Sequence, residues 1–355
     1  MMKKYSKKIT SVLLTLTLIF GCTCLWASAE TAKVSPDEHY IALMKATDWS
    51  LYEDHSINIQ RAQIPDYLLN QMTTEQLINA VLHYPYLIDM LCYDTYSAGF
   101  ESVSKYFNGL SELLNRKDSA QKLAERLEST PVQRSHSVDG EAVMNGMFLD
   151  VLLAQPEFMN QFSEQETEEV LEMVDKTIEE RLTQPDIYGE TEAYMFYQAA
   201  NENIEAYITY AVVYTPKNTP VNVLAKGAST PVASQQYWIE YVKNGYPTAN
   251  IIGPADENFN CHSYAWYSQS RDNPYWMPDE EANKYMNDGS YRKISGFQES
   301  AKIYYGSDTL GRHSGICFVE GLVYSKWGSG PLVSHKWTNC PYYNVATPVS
   351  YWVLA

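Results

Sequence analysis

Apolar residues recur at helical spacing through much of the first half of the chain, and two of these stripes begin with a capping signal. Thr73 and Gln76 form one predicted capping box, in front of a stripe that ends at Pro85. Ser163 and Glu166 form a second, in front of a longer stripe. Each box satisfies backbone amides that a helix leaves unpaired at its start. The pattern therefore predicts helices that begin at these two places.

The same spacing predicts one helix over Phe100–Leu114. Taken together, the stripes indicate an all-helical domain over residues 35–206. A polar segment with a proline at 131–139 is a candidate division into two subdomains.

The pattern changes after residue 206. Tyr207–Tyr214 is rich in β-branched and aromatic residues, and a proline-bounded turn and a second strand follow, up to Val223. Small polar residues then fill Ala225–Ser234. We assign 207–234 to a β-hairpin and linker, and 235–355 to a second domain with an antiparallel sheet. The predicted fold class is α+β.

The N-terminus has the layout of an export signal. A basic stretch, Met1–Lys8, precedes an apolar run, Val12–Trp26, and an Ala-Ser-Ala cleavage site that ends at residue 29. We therefore predict that residues 1–29 are a signal peptide and that the protein is secreted. The alternatives are an uncleaved anchor, for which the apolar run is short, and lipoprotein processing at Cys22.

Net charge limits the partners. The chain has 26 basic and 43 acidic residues, a formal charge of −17. Four of the lysines lie in the signal, so the remaining chain carries 22 − 43 = −21. Such a surface repels nucleic acid and anionic lipid, and we expect neither as a partner. We also expect no stable membrane span after signal removal, while the oligomeric state stays open.

Four cysteines remain after signal removal: Cys92, Cys261, Cys317 and Cys340. They lack the paired spacing of a zinc site, and the aspartates lack the spacing of a calcium loop. We therefore predict no metal and no cofactor. A Cys317–Cys340 disulfide is one possible pairing, because both residues lie in the same β-rich segment.

One cysteine has the sequence context of a nucleophile. Asn260 precedes Cys261 and is a strong helix N-cap, which places Cys261 at the first helical position. Free N–H groups and aligned peptide dipoles favour a thiolate there and could hold an oxyanion. The adjacent His262 is predicted to project to a different helix face, as a surface or packing residue.

The base is predicted to come from a strand. His313 begins an apolar run, and a turn and a second run follow, which predicts a β-hairpin. If three residues form the loop, with Gly321 left-handed, Ser325 lies on the face of His313 and could orient its ring. A two-residue loop would put Lys326 there instead. His335 is the alternative third member.

These motifs resemble those of secreted NlpC-type and CHAP-type papain-fold cysteine peptidases and amidases. The resemblance rests on Asn260–Trp266, His313–Ile316 and Tyr324-Ser325, and it covers about a quarter of the chain. It implies a papain-like fold for 235–355, with Cys261, His313 and a polar third residue as the catalytic set. The chain as a whole resembles uncharacterised secreted proteins of Gram-positive bacteria.

The sequence therefore predicts a secreted cysteine hydrolase of amide bonds, with a peptide or peptidoglycan-like substrate at the cell surface. Trp276 and Trp327, beside proline and glycine, are the candidates for an exposed substrate groove. A non-catalytic binding or adhesion module and a protein-crosslinking acyltransferase are the alternatives. The two halves are predicted to fold separately, and a single continuous core is the competing arrangement.

Overall fold

The structure is a computed structural model. It describes residues 34–134, 138–200, 209–226, 230–307, 310–319 and 321–355. The predicted signal at 1–29 lies outside these residues. Among the residues described, we find no helix with the length and apolar character needed to cross a membrane.

Helices form nearly all of the regular structure up to residue 200. They are α1 Pro36–Ala46, α2 His55–Arg61, α3 Asp66–Leu69, α4 Thr74–Leu82, α5 Tyr96–Tyr106, α6 Asn108–Asn115, α7 Ser119–Ser129, α8 Gly140–Leu153, α9 Pro156–Met159, α10 Glu164–Leu182, α11 Glu190–Ala193 and α12 Met195–Ala200, with 3₁₀ turns at Trp49–Leu51 and Leu87–Cys92. Both predicted capping boxes are confirmed. The backbone N–H of Thr73 donates to Gln76 Oε1 (3.0 Å), and the backbone N–H of Gln76 donates to the Thr73 hydroxyl (3.2 Å). Ser163 and Glu166 make the corresponding two bonds.

The prediction of one helix over Phe100–Leu114 is wrong. Phe107 has extended backbone angles (φ −110°, ψ 114°) and separates α5 from α6. Its ring stacks on Tyr84, with centroids 3.8 Å apart. The Asn108 side chain bonds both backbone groups of Ile64, at 2.9 and 2.8 Å. These tertiary contacts compensate for the interrupted helix, and local spacing does not reveal them.

The second half contains the sheets. The strands are β1 Thr209–Tyr214, β2 Pro220–Ala225, β3 Asn250–Ala255, β4 Tyr291–Ile294, β5 Lys302–Ser307, β6 Leu310–Cys317, β7 Leu322–Lys326, β8 Pro331–Lys336 and β9 Val349–Leu354, with helices α13 Val232–Gly245 and α14 Asp279–Asn287. β1 and β2 form the predicted hairpin. The others form an antiparallel sheet in the order β3-β8-β7-β6-β5-β9-β4. The fold is therefore α+β.

The two faces of the seven-stranded sheet belong to two different apolar clusters. On β5, Tyr305 packs into the larger cluster, which we call the helical-side core, and Tyr304 into the smaller one, the hairpin-side core. On β6, Cys317 and Ile316 divide in the same way. Alternate residues of a strand point to opposite faces, so this division follows from strand periodicity.

The helical-side core joins the two halves of the chain. It includes residues of the helices up to α12 together with sheet residues such as Val323, and Pro36–Ala355 form one compact unit. Buried Asp89 adds a polar link, because it accepts hydrogen bonds from Tyr106 on one side and from Tyr246 on the other, at 3.1 and 2.8 Å. One of the two apolar clusters thus spans both halves of the chain. Separate folding of the predicted domains, with boundaries at 206 and 234, stays a prediction.

Candidate active site

The predicted helix start at Cys261 is present. Asn260 accepts the N–H of Ser263 on its side-chain oxygen (3.0 Å), as an N-cap does, and the N–H of Tyr264 on its carbonyl (3.0 Å). The helix continues as a π-helical turn, Ser263–Tyr267. Widened turns of this kind occur frequently at functional sites. Cys261 itself is 4 % exposed.

A buried lysine holds the loop that leads to Cys261. Lys326 Nζ donates to the carbonyl of Asp256 (2.6 Å) and to that of Gly328 (2.9 Å). Burial lowers the pKa of Lys326 to about 8, although Asp256, Glu257 and Cys261 act in the opposite direction. Lys326, at the end of β7, therefore holds the loop between β3 and Cys261 in place.

His262 is held inside the protein by two polar side chains. Its side chain is fully buried, and it bonds Asp279 through Nε2 (2.5 Å) and Ser314 through Nδ1 (2.7 Å). Asp279 begins α14, so tertiary packing brings the carboxylate to the histidine. Of the two expected roles, that of a surface residue is wrong, and the burial of the ring fits a packing residue. The sequence does not show which element covers this helix face.

The charges around His262 favour its protonated form. Burial by itself lowers the pKa of His262, but the neighbouring Cys261 and Asp279, and the hydrogen bonds that both make to the ring, raise it well above the ordinary value. An imidazolium here bonds the Asp279 carboxylate through one nitrogen and the Ser314 hydroxyl through the other, and the Cys261 thiol is a close neighbour. This environment suits a thiolate–imidazolium pair.

Ser314 anchors the histidine to the sheet. Its hydroxyl oxygen accepts the indole N–H of Trp266 (2.8 Å) and lies 2.7 Å from His262 Nδ1. Trp266 belongs to the π-helical turn and packs in the hairpin-side core. The strand that carries His313 thus contributes its next residue, and not His313, to the surroundings of His262.

His313 lies on the opposite face of β6. It is paired with Tyr305 across the strands and stacks on Tyr342, with ring centroids 3.6 Å apart. It is fully buried, and neither ring nitrogen has a hydrogen-bond partner among the described residues. Burial and the neighbouring histidines lower the pKa of His313 well below its ordinary value. Within the described part of the chain, His313 has no hydrogen-bonding group that could orient it as a catalytic base.

The predicted hairpin is present, with the longer of the two loops. Phe318 N–H donates to the carbonyl of Leu322 (2.9 Å), and Gly321 has a φ of +83°. Strand pairing therefore places Ser325 on the face of His313, as the three-residue loop predicts. The structure pairs Ser325 with the alternative third member, because its hydroxyl lies 2.7 Å from His335 Nε2.

Neither predicted groove tryptophan is exposed. Trp276 is 2 % exposed, since it exchanges two backbone hydrogen bonds with Leu224 and lies under Lys226 Nζ at 3.9 Å. Trp327 is fully buried against Tyr246, with ring centroids 4.7 Å apart. The prediction of exposure is wrong because neighbouring proline and glycine residues do not determine which element covers a ring.

The four cysteines among the described residues are free thiols in this structure. Cys92, Cys261, Cys317 and Cys340 are all buried and free, so the suggested Cys317–Cys340 disulfide is absent. The Cys340 thiol points to the carbonyl of Trp337 instead. In the described part of the chain, no three histidine, cysteine or acidic side chains are grouped so that they could hold a metal ion.

A sequence signal for the missed carboxylate exists in retrospect. Asp279 follows Pro278 and begins an acidic run at a helix start. Acidic side chains are common at this position and are usually solvated, so the pattern does not point to a catalytic role.

Comparisons with protein-family models, with curated proteins and with solved structures found no match.

Proposed function

We propose that the protein is a cysteine hydrolase of amide bonds, in which Cys261 is the nucleophile, His262 the general base and Asp279 the residue that orients the base. The observation that carries the proposal is the buried His262, which bonds the Asp279 carboxylate and whose pKa the neighbouring Cys261 and Asp279 raise. His313, the base expected from the sequence, has no polar partner in the described structure.

The hydrogen bonds of His262 define the direction of proton transfer. An ionised carboxylate only accepts, so Nε2 carries the hydrogen that is donated to Asp279. In the neutral ring, Nδ1 is then the acceptor, and the Ser314 hydroxyl occupies it at 2.7 Å. The proposal requires that Nδ1 exchange this partner for the Cys261 thiol, whose proton it then takes. The resulting imidazolium is stabilised by Asp279, as in other nucleophile–base–orienter sets.

The reaction that follows has two steps. The thiolate attacks the amide carbonyl carbon, the C–N bond breaks, and Nδ1–H returns the proton to the leaving amine. A water molecule, deprotonated by the same ring, then attacks the thioester and releases the acid and the thiol. Asp279 is the most open member, with 28 % of its side chain exposed, so we expect the substrate to approach from its side.

Peptides of the bacterial cell wall are the proposed substrates, and the papain-like arrangement is part of the same proposal. A cysteine on a helix start, packed against an antiparallel sheet, supports it. The proposed secretion of the chain would bring it to such peptides. Because the net charge is strongly negative, anionic wall polymers would not attract it, and recognition would depend on specific contacts.

The experiment incubates the purified protein with peptidoglycan and measures newly released amines and soluble fragments. We expect release by the wild type and none by Cys261→Ala. Cys317→Ala is the matched control, because it removes another buried thiol from the opposite side of the sheet. Equal release by Cys261→Ala would contradict the proposal.

A second measurement needs no substrate. Alkylation of Cys261 by iodoacetamide, followed by mass spectrometry between pH 5 and 9, reports the thiolate. We expect a faster reaction below pH 7 than that of a free thiol. A rate no higher than that of the free thiol, with no fragment release, would favour the non-catalytic binding module.

A further inference from the structure

Asp94 is a carboxylate from the helical half that contacts the site directly. It lies between the 3₁₀ turn at Leu87–Cys92 and α5, far from Cys261 in sequence. Its Oδ1 accepts the side-chain amide of Asn260 (3.0 Å), and its Oδ2 accepts the backbone N–H of Asp279 (2.9 Å). One side chain thus joins the residue before the proposed nucleophile to the residue that orients the base.

Asn260 passes this contact on to the cysteine. Its side-chain oxygen accepts the N–H groups of Ser263 (3.0 Å) and Met277 (3.2 Å), and its amide donates to the Met277 carbonyl (2.7 Å). The side chain therefore holds the start of the Cys261 helix against the segment that leads into α14. Without Asp94, one of the two hydrogens of the amide would lose its acceptor.

The charged groups around Asp94 come from several elements. Asp279 and His262 face it from the site, and Lys226 faces it from the end of β2. Burial raises the pKa of Asp94 to about 7; Asp279 adds to this, while His262, the Asn260 hydrogen bond and Lys226 oppose it. The charge of Asp94 therefore changes in the neutral range, next to the ring that must carry a proton.

We propose that Asp94 is a positioning residue by which the helical half holds the Cys261–His262–Asp279 geometry, and that its ionised form stabilises the His262 imidazolium. This inference rests on the proposed function for its catalytic consequence only. The negative charge of Asp94 favours the imidazolium, and both of its acceptor contacts are strongest when it is ionised.

The test compares Asp94→Asn, Asp94→Glu and Glu280→Gln in the full chain. Asp94→Asn removes the charge with little change of shape, while Asp94→Glu keeps the charge. Glu280→Gln removes one charge from the same turn of α14, but Glu280 is exposed and serves as the matched control. The readouts are the pH profile of Cys261 alkylation and the titration of the His262 ring by NMR.

In the wild type we expect the alkylation profile to contain a transition near pH 7, from the ionisation of Asp94. Asp94→Asn should remove this transition, lower the His262 pKa and slow alkylation at neutral pH about tenfold. Asp94→Glu should restore part of the rate, and Glu280→Gln should match the wild type. If Asp94 had only a structural role, Asp94→Asn would change the rate of Cys261 alkylation but leave the pH of the transition unchanged.

The outcomes separate this inference from the proposed function. An Asp94→Asn profile identical to that of the wild type overturns the inference, even if the protein releases peptidoglycan fragments. A shifted profile in a protein that hydrolyses nothing supports the inference and contradicts the proposed function. If Asp94→Asn is unstable, the wild type decides: an alkylation profile and a His262 titration with no transition near pH 7 contradict the inference.

Discussion

Strand β6 separates two fully buried histidines that differ in their polar neighbours. His262, on the hairpin side, has a carboxylate, a hydroxyl and a thiol as neighbours, and its pKa is raised. His313, on the helical side, lies between Tyr305 and Tyr342, and its pKa is lowered. Burial is equal in both places. The comparison teaches that the partners of a histidine, and not its burial, decide whether it can exchange a proton near neutral pH.

Substitution of the two histidines should affect activity very differently, and this is the largest change that we predict. His262→Gln should lower the rate of amide hydrolysis about 10²–10⁴-fold, because it removes the general base. His313→Phe should leave the rate within a few-fold of the wild type, because the ring makes no hydrogen bond in the described structure. Fragment release from peptidoglycan measures both.

Circular dichroism serves as the folding control for these two variants. An inactive but folded His313→Phe beside an active His262→Gln would reverse the assignment. The base would then be the residue that the sequence indicated, on the helical side of the strand.

A second expected effect concerns pH and stability. Burial lowers the pKa of His335 to about 4, so its neutral form stabilises the fold at and above the unfolded value of about 6.5, and this contribution is lost as the pH falls towards 4. The full loss is about 3 kcal/mol. His262 has the opposite sign: its contribution is complete below about 6.5 and is lost as the pH rises through its raised folded value.

Urea unfolding between pH 4 and 9 measures these contributions as differences between variants. His335→Gln should lose less stability than the wild type between pH 7 and pH 4, and His262→Gln should lose less above neutrality. The exposed His39 provides a control, His39→Gln, that should follow the wild type throughout. Parallel curves for His335→Gln and the wild type would show that the buried ring does not resist protonation.

The smallest expected effect compares two serines on the two faces. Ser314→Ala removes the partner of the Trp266 indole N–H and that of His262 Nδ1, and should lower the free energy of unfolding by about 2–3 kcal/mol. Ser325→Ala leaves only His335 Nε2, and should cost about 1 kcal/mol. Denaturant midpoints at pH 7 give both values. If both substitutions lowered the free energy of unfolding equally, Ser314 would not make one hydrogen bond more than Ser325, contrary to the structure.

Much of the local structure could be predicted from the sequence. The capping boxes at Thr73 and Ser163 depend on side chains that bond backbone groups within three residues, and both are present. The Asn260 cap and the left-handed Gly321 are local in the same sense. The break at Phe107 was missed, because the compensating contacts of Asn108 come from a residue distant in sequence.

The helix start at Cys261 follows from the sequence, because the Asn260 cap is a short-range hydrogen bond. The two-residue period of a strand narrows the residue that shares the face of His313 to Ser325 or Lys326, and the loop seen in the structure selects Ser325. Only the tertiary structure decided which face of β6 meets the cysteine helix, and hence that Ser314 and not His313 lies beside His262. It also decided that Asp279 and Asp94 reach the site from distant parts of the chain. The physical reason is that burial and charge depend on which elements pack together, and no local period encodes that choice.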